Sequence, residues 1–260
     1  MNAIRVGGRT KVALLVACAF GVIAFGWPFF VSANSDAALA TIAPFFFAAA
    51  LLLVLAVVLA GVADGGIDAK ALALLGVLSA LGAALRPLGA GTGGVELVFF
   101  LIILGGRALG PGFGFTLGCT TLFASALITS GVGPWMPYQM FGCAIVGLGA
   151  GLLPAATGRR EIVMLAAYGA ASAFVYGLLI NLSFWPFTLG SDTTLSYVAG
   201  GGVLENLHRY VVFDATTSLG WDTGRAITNA LLILVAGAPV LAAIRRATRR
   251  AAFGAPVEFV

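Results

Sequence analysis

The chain has 260 residues, 60% of them hydrophobic and only 9% charged, with a net charge of +4. A soluble domain carries about 25% charged residues, so a water-facing surface is excluded and lipid is the expected solvent. The positive balance does not point to nucleic acid, because the basic residues bracket apolar runs as cytoplasmic loops do.

In hydrocarbon every backbone N–H and C=O needs an internal partner, which leaves helices or a closed barrel. A barrel would show stretches of about ten residues with period two. The runs here are continuous and rich in Leu, Ala and Gly. The expected fold is therefore all-α, a polytopic transmembrane helical bundle of about eight helices.

The first expected span, 12–31, follows Arg5, Arg9 and Lys11. Val31-Ser32-Ala33 resembles a signal-peptidase site, but the run is long enough to cross a bilayer and is expected to be kept. Further spans are expected at 43–63, 70–86, 94–106, 111–130, 137–157, 161–182 and 224–244. The fourth is short, and its Gly93-Gly94 start suggests a re-entrant or tilted piece. With Met1 cytoplasmic, eleven of the fourteen basic residues lie inside, leaving Arg86, Arg209 and Arg225 outside. The expectation is a cell-membrane protein, plasma or inner, with both termini cytoplasmic. The outer side gathers Asp36, Glu96, Asp192, Glu205, Asp214 and Asp222, the long segment 183–223, the single histidine His208, and Trp135, Trp185 and Trp221. Such an elaborated face suggests a site reached from outside.

Small residues recur every four positions, which places each set on one helix face. Gly106, Gly110, Gly114 and Gly118, and Gly147 with Gly151, are read as internal packing. Gly76, Ala80 and Ala84 are assigned to contact with another subunit. Cys18, Cys119 and Cys143 lie inside apolar runs without CxxC spacing, as buried small hydrophobes. No metal or nucleotide motif is present, and no elbow-type serine accompanies His208. No enzyme activity, metal or cofactor is expected.

Polar groups collect instead at the outer span ends. The stretch Ser130–Gln139, S-G-V-G-P-W-M-P-Y-Q, joins turn residues to Trp135, Tyr138 and Gln139. With Arg86, Glu96, Asn181, Trp185 and Asp222 these form the expected substrate pocket. The charged members can equally be structural pairs, Arg86 with Glu96 and Asp222 with Arg225, and the tryptophans interfacial anchors. Segment 201–220 carries Val203, Leu204, Leu207, Val211 and Val212 at helical spacing. It reads as an amphipathic helix lying on the membrane or covering the pocket as a lid.

Four stretches resemble the substrate-binding S-component of energy-coupling-factor (ECF) vitamin transporters: A-L-L-G-V-L-S-A-L-G-A-A-L-R-P-L-G from Ala73, the Ser130–Gln139 stretch, G-L-G-A-G-L-L-P from Gly147, and S-L-G-W-D-T-G-R-A-I-T-N-A from Ser218. The resemblance implies a six-helix core at 69–250, a two-helix extension at 1–68 outside the family pattern, and a cytoplasmic tail at 251–260. It implies loops 86–94, 131–136 and 183–223 enclosing a vitamin, with the cobalamin-type group the nearest. It also implies a transmembrane coupling subunit touching Gly76, Ala80 and Ala84, and two ATP-binding subunits that power uptake. The alternatives are a membrane-embedded enzyme acting on a lipid or peptide at the outer face, and a structural membrane subunit.

Overall fold

The computed structural model describes residues 4, 6–30, 36–89, 92–189 and 193–250, with side chains of the second helix described from Ala48 onward. Arg5, the 31–33 motif, Asp192, the Asp36 side chain and the 251–260 tail lie outside the described residues.

All regular structure among the described residues is helical: α1 Gly8–Gly26, α2 Asp36–Ala63, α3 Ala69–Leu85, α4 Val98–Leu109, α5 Pro111–Ile128, α6 Met136–Leu152, α7 Gly158–Thr188, α8 Val203–Thr217 and α9 Leu219–Arg250. Short 3-10 turns extend α1 at Trp27–Phe29 and α3 at Arg86–Gly89. Five helical segments are long and apolar enough to cross a membrane: Gly8–Phe29, Ala69–Gly89, Pro111–Ile128, Gly158–Thr188 and Leu219–Arg249. Ala48–Ala63, α4 and α6 are shorter apolar helices. Exposed Leu15, Leu52, Leu72, Leu127, Val163, Leu231 and Val235 leave an apolar outer surface, which suits lipid and not water.

Helix α4 is the axis. All of its residues are buried, and it packs against α3, α5, α6, α7 and α9. At 1.5 Å per residue it rises about 18 Å, well short of a hydrocarbon core of about 30 Å. The sequence places the fourth element at 94–106, whereas the helix begins only at Val98. Residues 92–97 run non-helically, with Gly93 and Gly94 at φ 45° and 83°. Both glycines lie against the first turns of α9. A Cβ on Gly94 would fall 2.1 Å from the Trp221 carbonyl oxygen, and one on Gly224 would fall 2.0 Å from that of Gly93.

The glycine rows of α4–α6 are packing devices, as expected. A Cβ on Gly147 would stand 2.1 Å from the Gly114 carbonyl oxygen, and one on Gly106 or Gly114 would stand 2.2 Å from that of Gly147. Only missing side chains let these backbones touch. The Gly76, Ala80 and Ala84 row of α3 is different. It lies on an exposed face, and a Cβ on Gly76 would meet nothing within 4 Å.

The α1–α2 pair lies against α5, α6 and α7. Aromatic rings fix α1 there: Phe20 lies 5.6 Å from Phe141, and Phe25 lies edge-on to Tyr138 at 5.3 Å. Gly7 gives α1 no side-chain cap, and Asp64 supplies one from the α2–α3 turn by accepting from the Thr10 amide (2.8 Å) and hydroxyl (2.7 Å). Those bonds, the amide's foremost, hold the Asp64 carboxyl below its ordinary range.

Helix α8 turns its predicted apolar stripe outward. Asn206, Tyr210 and Phe213 are its buried face, while Val203, Leu207 and Val211 are exposed and Leu204 is 81% exposed. The rings win because they bury more area than Val or Leu, and the Tyr210 hydroxyl donates to the Leu178 carbonyl. Asn206 pairs with the Val198 backbone, accepting at 3.1 Å and donating at 2.8 Å.

Candidate functional site

The carboxyl ends of α3 and α5 and the amino ends of α4, α6 and α9 meet beside the carboxyl-terminal half of α7. They leave a cavity of about 330 Å³. Arg86, Glu96, Gln139, Tyr176, Trp221 and Arg225 supply its polar and aromatic wall, and Val95, Val98, Leu122 and Ile180 its apolar wall.

Arg86 ends α3 and reaches across α5 to α6. It donates to Gln139 Oε1 at 2.9 Å and, more weakly, to the Ser125 hydroxyl at 3.4 Å. The Gln139 amide NH2 makes no hydrogen bond among the described residues and is free to donate. Arg225 is the second centre. Its guanidinium donates to Glu96 at 2.7 Å, to Asp222 one turn earlier, and to the Ala173 carbonyl at 3.3 Å. It stands 5.0 Å from the Tyr176 ring centroid and 5.9 Å from that of Phe99. Its Nε is buried and has no partner among the described residues. An unpaired buried donor on an arginine is costly, and this one belongs to a side chain lining the cavity.

Of the eight predicted pocket residues, Arg86, Glu96 and Gln139 line this cavity together. Trp135 caps α6 from the loop and is 52% exposed, outside the cavity wall. Tyr138 precedes Gln139 by one helical position, about 100° around α6, and therefore faces Phe25 of α1. Trp185 is fully buried. Its indole N–H donates to the Leu195 carbonyl at 2.8 Å, and its ring packs on Tyr197, Tyr210 and Phe213. Asn181 ties α7 to the end of α8 and the α8–α9 junction, and Asp222 lies in the seam between α7 and α9 that continues from it. The expected Arg86–Glu96 pair is absent among the described ion pairs, because Arg225 takes Glu96; the expected Asp222–Arg225 pair is present.

That seam is a ladder of polar contacts at helical spacing. Asn181 donates to Ser218 and, at 2.6 Å, to Asp214. Asp222 fills the space beside Gly177, where a Cβ would overlap its carboxylate. Arg225 meets the Ala173 carbonyl, and Asn229 donates to that of Gly169 at 3.2 Å. Small residues on α7 at 169, 173 and 177 let polar side chains of α9 reach the helix backbone. Interhelical bonds of this kind contribute about 0.6 kcal/mol each on average inside a membrane, so the seam is mainly a device of register.

The site residues outside the predicted set are Arg225, Trp221 and Tyr176. Arg225 and Trp221 carry a signal in the motif W-D-T-G-R, where a charge opens an apolar run. Tyr176 sits in an apolar stretch with no such mark. Helix α8 contributes no cavity residue, so among the described residues it is a surface element and not a lid.

The opposite end mirrors the arrangement with the signs exchanged. Arg107, buried at the end of α4, donates to Glu161 at 2.7 Å and to the Leu153 and Ala156 carbonyls beyond α6 at 2.9 and 3.3 Å. Arg245 of α9 grips both oxygens of Glu161, at 2.7 and 2.9 Å. No protein-family model, curated protein or solved structure matches this chain.

Proposed function

We propose that this chain is a multi-pass membrane subunit that takes a small micronutrient from outside the cell into the Arg86–Arg225 cavity. By its resemblance it is a substrate-binding S-component working with ECF-type partners. The observation that carries this reading is the cavity itself, where the Arg86 guanidinium and the spare amide donor of Gln139 stand beside Trp221 and Tyr176 at one end of the bundle. Ionisable groups in such a place are costly unless they serve a site or a structural pair. Arg225, Glu96 and Asp222 serve as the pair; Arg86 and Gln139, joined among the described residues only to one another and to Ser125, are the groups a ligand can engage. The asymmetric distribution of arginine and lysine supports placing this end outside.

Ligand-binding cavities run from about 300 to 1,000 Å³, and this one is near the lower bound. A small vitamin with a polar ring suits that volume as it stands. Cobalamin is far bulkier than the cavity as it stands. The open Gly76, Ala80 and Ala84 face supports contact with a coupling subunit, and two ATP-binding partners would supply the energy that this chain has no motif to harvest. Neither carboxylate near the cavity favours the enzyme reading, since Glu96 and Asp222 are both held by Arg225. Mass spectrometry of small molecules released from the purified full-length protein tests the proposal. A vitamin-sized compound released from wild type and absent from Arg86→Ala supports it; an identical profile from both contradicts it.

A further inference from the structure

The α7–α9 seam changes character toward the Arg245 end. Beyond Asn229 the polar ladder stops, and an open groove of about 820 Å³ lies between the helices, walled by Ile162, Val163, Leu234, Ala238 and Leu241. Arg159, Arg245 and Arg249 stand at its end, and the adjoining cavity of about 750 Å³ adds Arg107 and Arg160 to the same basic surface. Among the described residues Glu161 is the sole acid in either lining, and both its oxygens are already taken by Arg107 and Arg245. Arg159, Arg160, Arg246 and Arg249 make no ion pair among the described residues. The amino end of α7, which Thr157 does not cap with its side chain, adds its partial positive charge. An apolar trough opening onto uncompensated arginines is complementary to one kind of molecule, an amphiphile with an anionic head.

We propose that this groove binds an anionic phospholipid, its phosphate against Arg159 and Arg249 and one acyl chain along Ile162, Leu234 and Ala238. The site rests on the membrane-spanning reading of the chain and is independent of what the opposite cavity holds. Basic pockets between helices on the cytoplasmic side attract anionic headgroups. Here the helices also supply a place for the chain, so a free anion satisfies only half of the site. The bound lipid would add a second tie between α7 and α9 beside the Glu161–Arg245 pair.

The test uses full-length protein in mild detergent, offered phosphatidylglycerol, phosphatidylcholine or inorganic phosphate. Retained lipid is counted by native mass spectrometry and thermal unfolding is followed in parallel. Wild type should retain phosphatidylglycerol roughly tenfold better than phosphatidylcholine, and the Arg159→Gln, Arg249→Gln double variant should lose that preference. Both arginines are exposed and unpaired, so the variant should fold and bind at the Arg86 cavity as wild type does. Ala238→Phe, which fills the trough without touching charge, should also reduce lipid retention. Equal retention of the two lipids, undiminished retention by the double variant, or stabilisation by phosphate equal to that by phosphatidylglycerol would each overturn the proposal. Protein that stays monodisperse without detergent would remove the membrane reading along with it, whereas detergent-dependent protein indifferent to phosphatidylglycerol would remove this site alone.

Discussion

The two ends of the bundle are built on the same device with opposite signs. At the Arg86 end one arginine, Arg225, sits between two acids, Glu96 and Asp222. At the other end one acid, Glu161, sits between two arginines, Arg107 and Arg245. The first cluster is nearly balanced once Arg86 is counted, and it encloses a cavity with a few spare donors. The second is surrounded by further arginines and adjoins an apolar groove between α7 and α9. The same ion-pair chemistry therefore joins the helices at both ends, and the leftover polarity separates them, which is the difference on which the two proposed ligands rest, a small polar solute at one end and an anionic phospholipid at the other.

The sharpest way to break this comparison is to remove each central residue. Arg225→Met leaves the buried Asp222 and the partly exposed Glu96 without a counter-charge, and Glu161→Gln leaves Arg107 and Arg245 facing one another. Breaking a buried pair costs about 3–5 kcal/mol, so both variants should show the largest losses of thermal stability in detergent. If either is near wild type, that cluster is not what holds its end together.

Next in size is the contrast between the two kinds of glycine row. Gly147→Val drives a side chain into the Gly114 backbone and should cost about 1–3 kcal/mol or prevent folding. Gly76→Leu should leave stability and ligand binding unchanged while abolishing uptake in cells that contain the coupling partners. Uptake at wild-type rate would remove the partner face.

Arg86→Ala should weaken ligand binding by about 1.5–3 kcal/mol, the range for a hydrogen bond to a charged group, with little change in unfolding temperature. The smallest effects are local. Ser130 ends α5 with φ 53°, and the Gly131 amide closes the turn on the Ala126 carbonyl at 2.8 Å. Ser130→Gly should therefore raise stability by about 0.5–1 kcal/mol, since a left-handed residue favours glycine. Asp64 titrates lower when folded than its unfolded value of about 3.9. Its contribution is thus present above that pH and lost as pH falls through the folded value; Asp64→Asn should flatten the acid limb of a stability–pH curve.

The elements were legible because apolar runs, basic flanks and turn residues mark helix ends directly. Each expected span has a helical counterpart, and 201–220 is helical as its spacing suggests. The site was legible only in part. Arg86, Glu96 and Gln139 announce themselves as polar residues at span ends, and they do converge. Sequence position could not separate Gln139 from Tyr138, because a single step of rotation sends one to the cavity and the other to α1. Nor could it show that Trp185 is a core ring, or that Asn181 and Asp222 belong to a ladder, since those roles depend on the register of α7 against α9. The α8 stripe marks the helix but not its packed face, which Tyr210 and Phe213 form with Asn206.

The central claim is that the Arg86 end holds a small solute while the arginine-rich end does not. Equilibrium dialysis of the detergent-purified full-length protein against a vitamin panel, without ATP, tests it most directly. The account predicts that one vitamin binds wild type and the Arg159→Gln, Arg249→Gln variant equally and binds Arg86→Ala about ten- to a hundredfold more weakly. Binding that is undiminished in Arg86→Ala, or that is lost with the arginines of the opposite end, would contradict it.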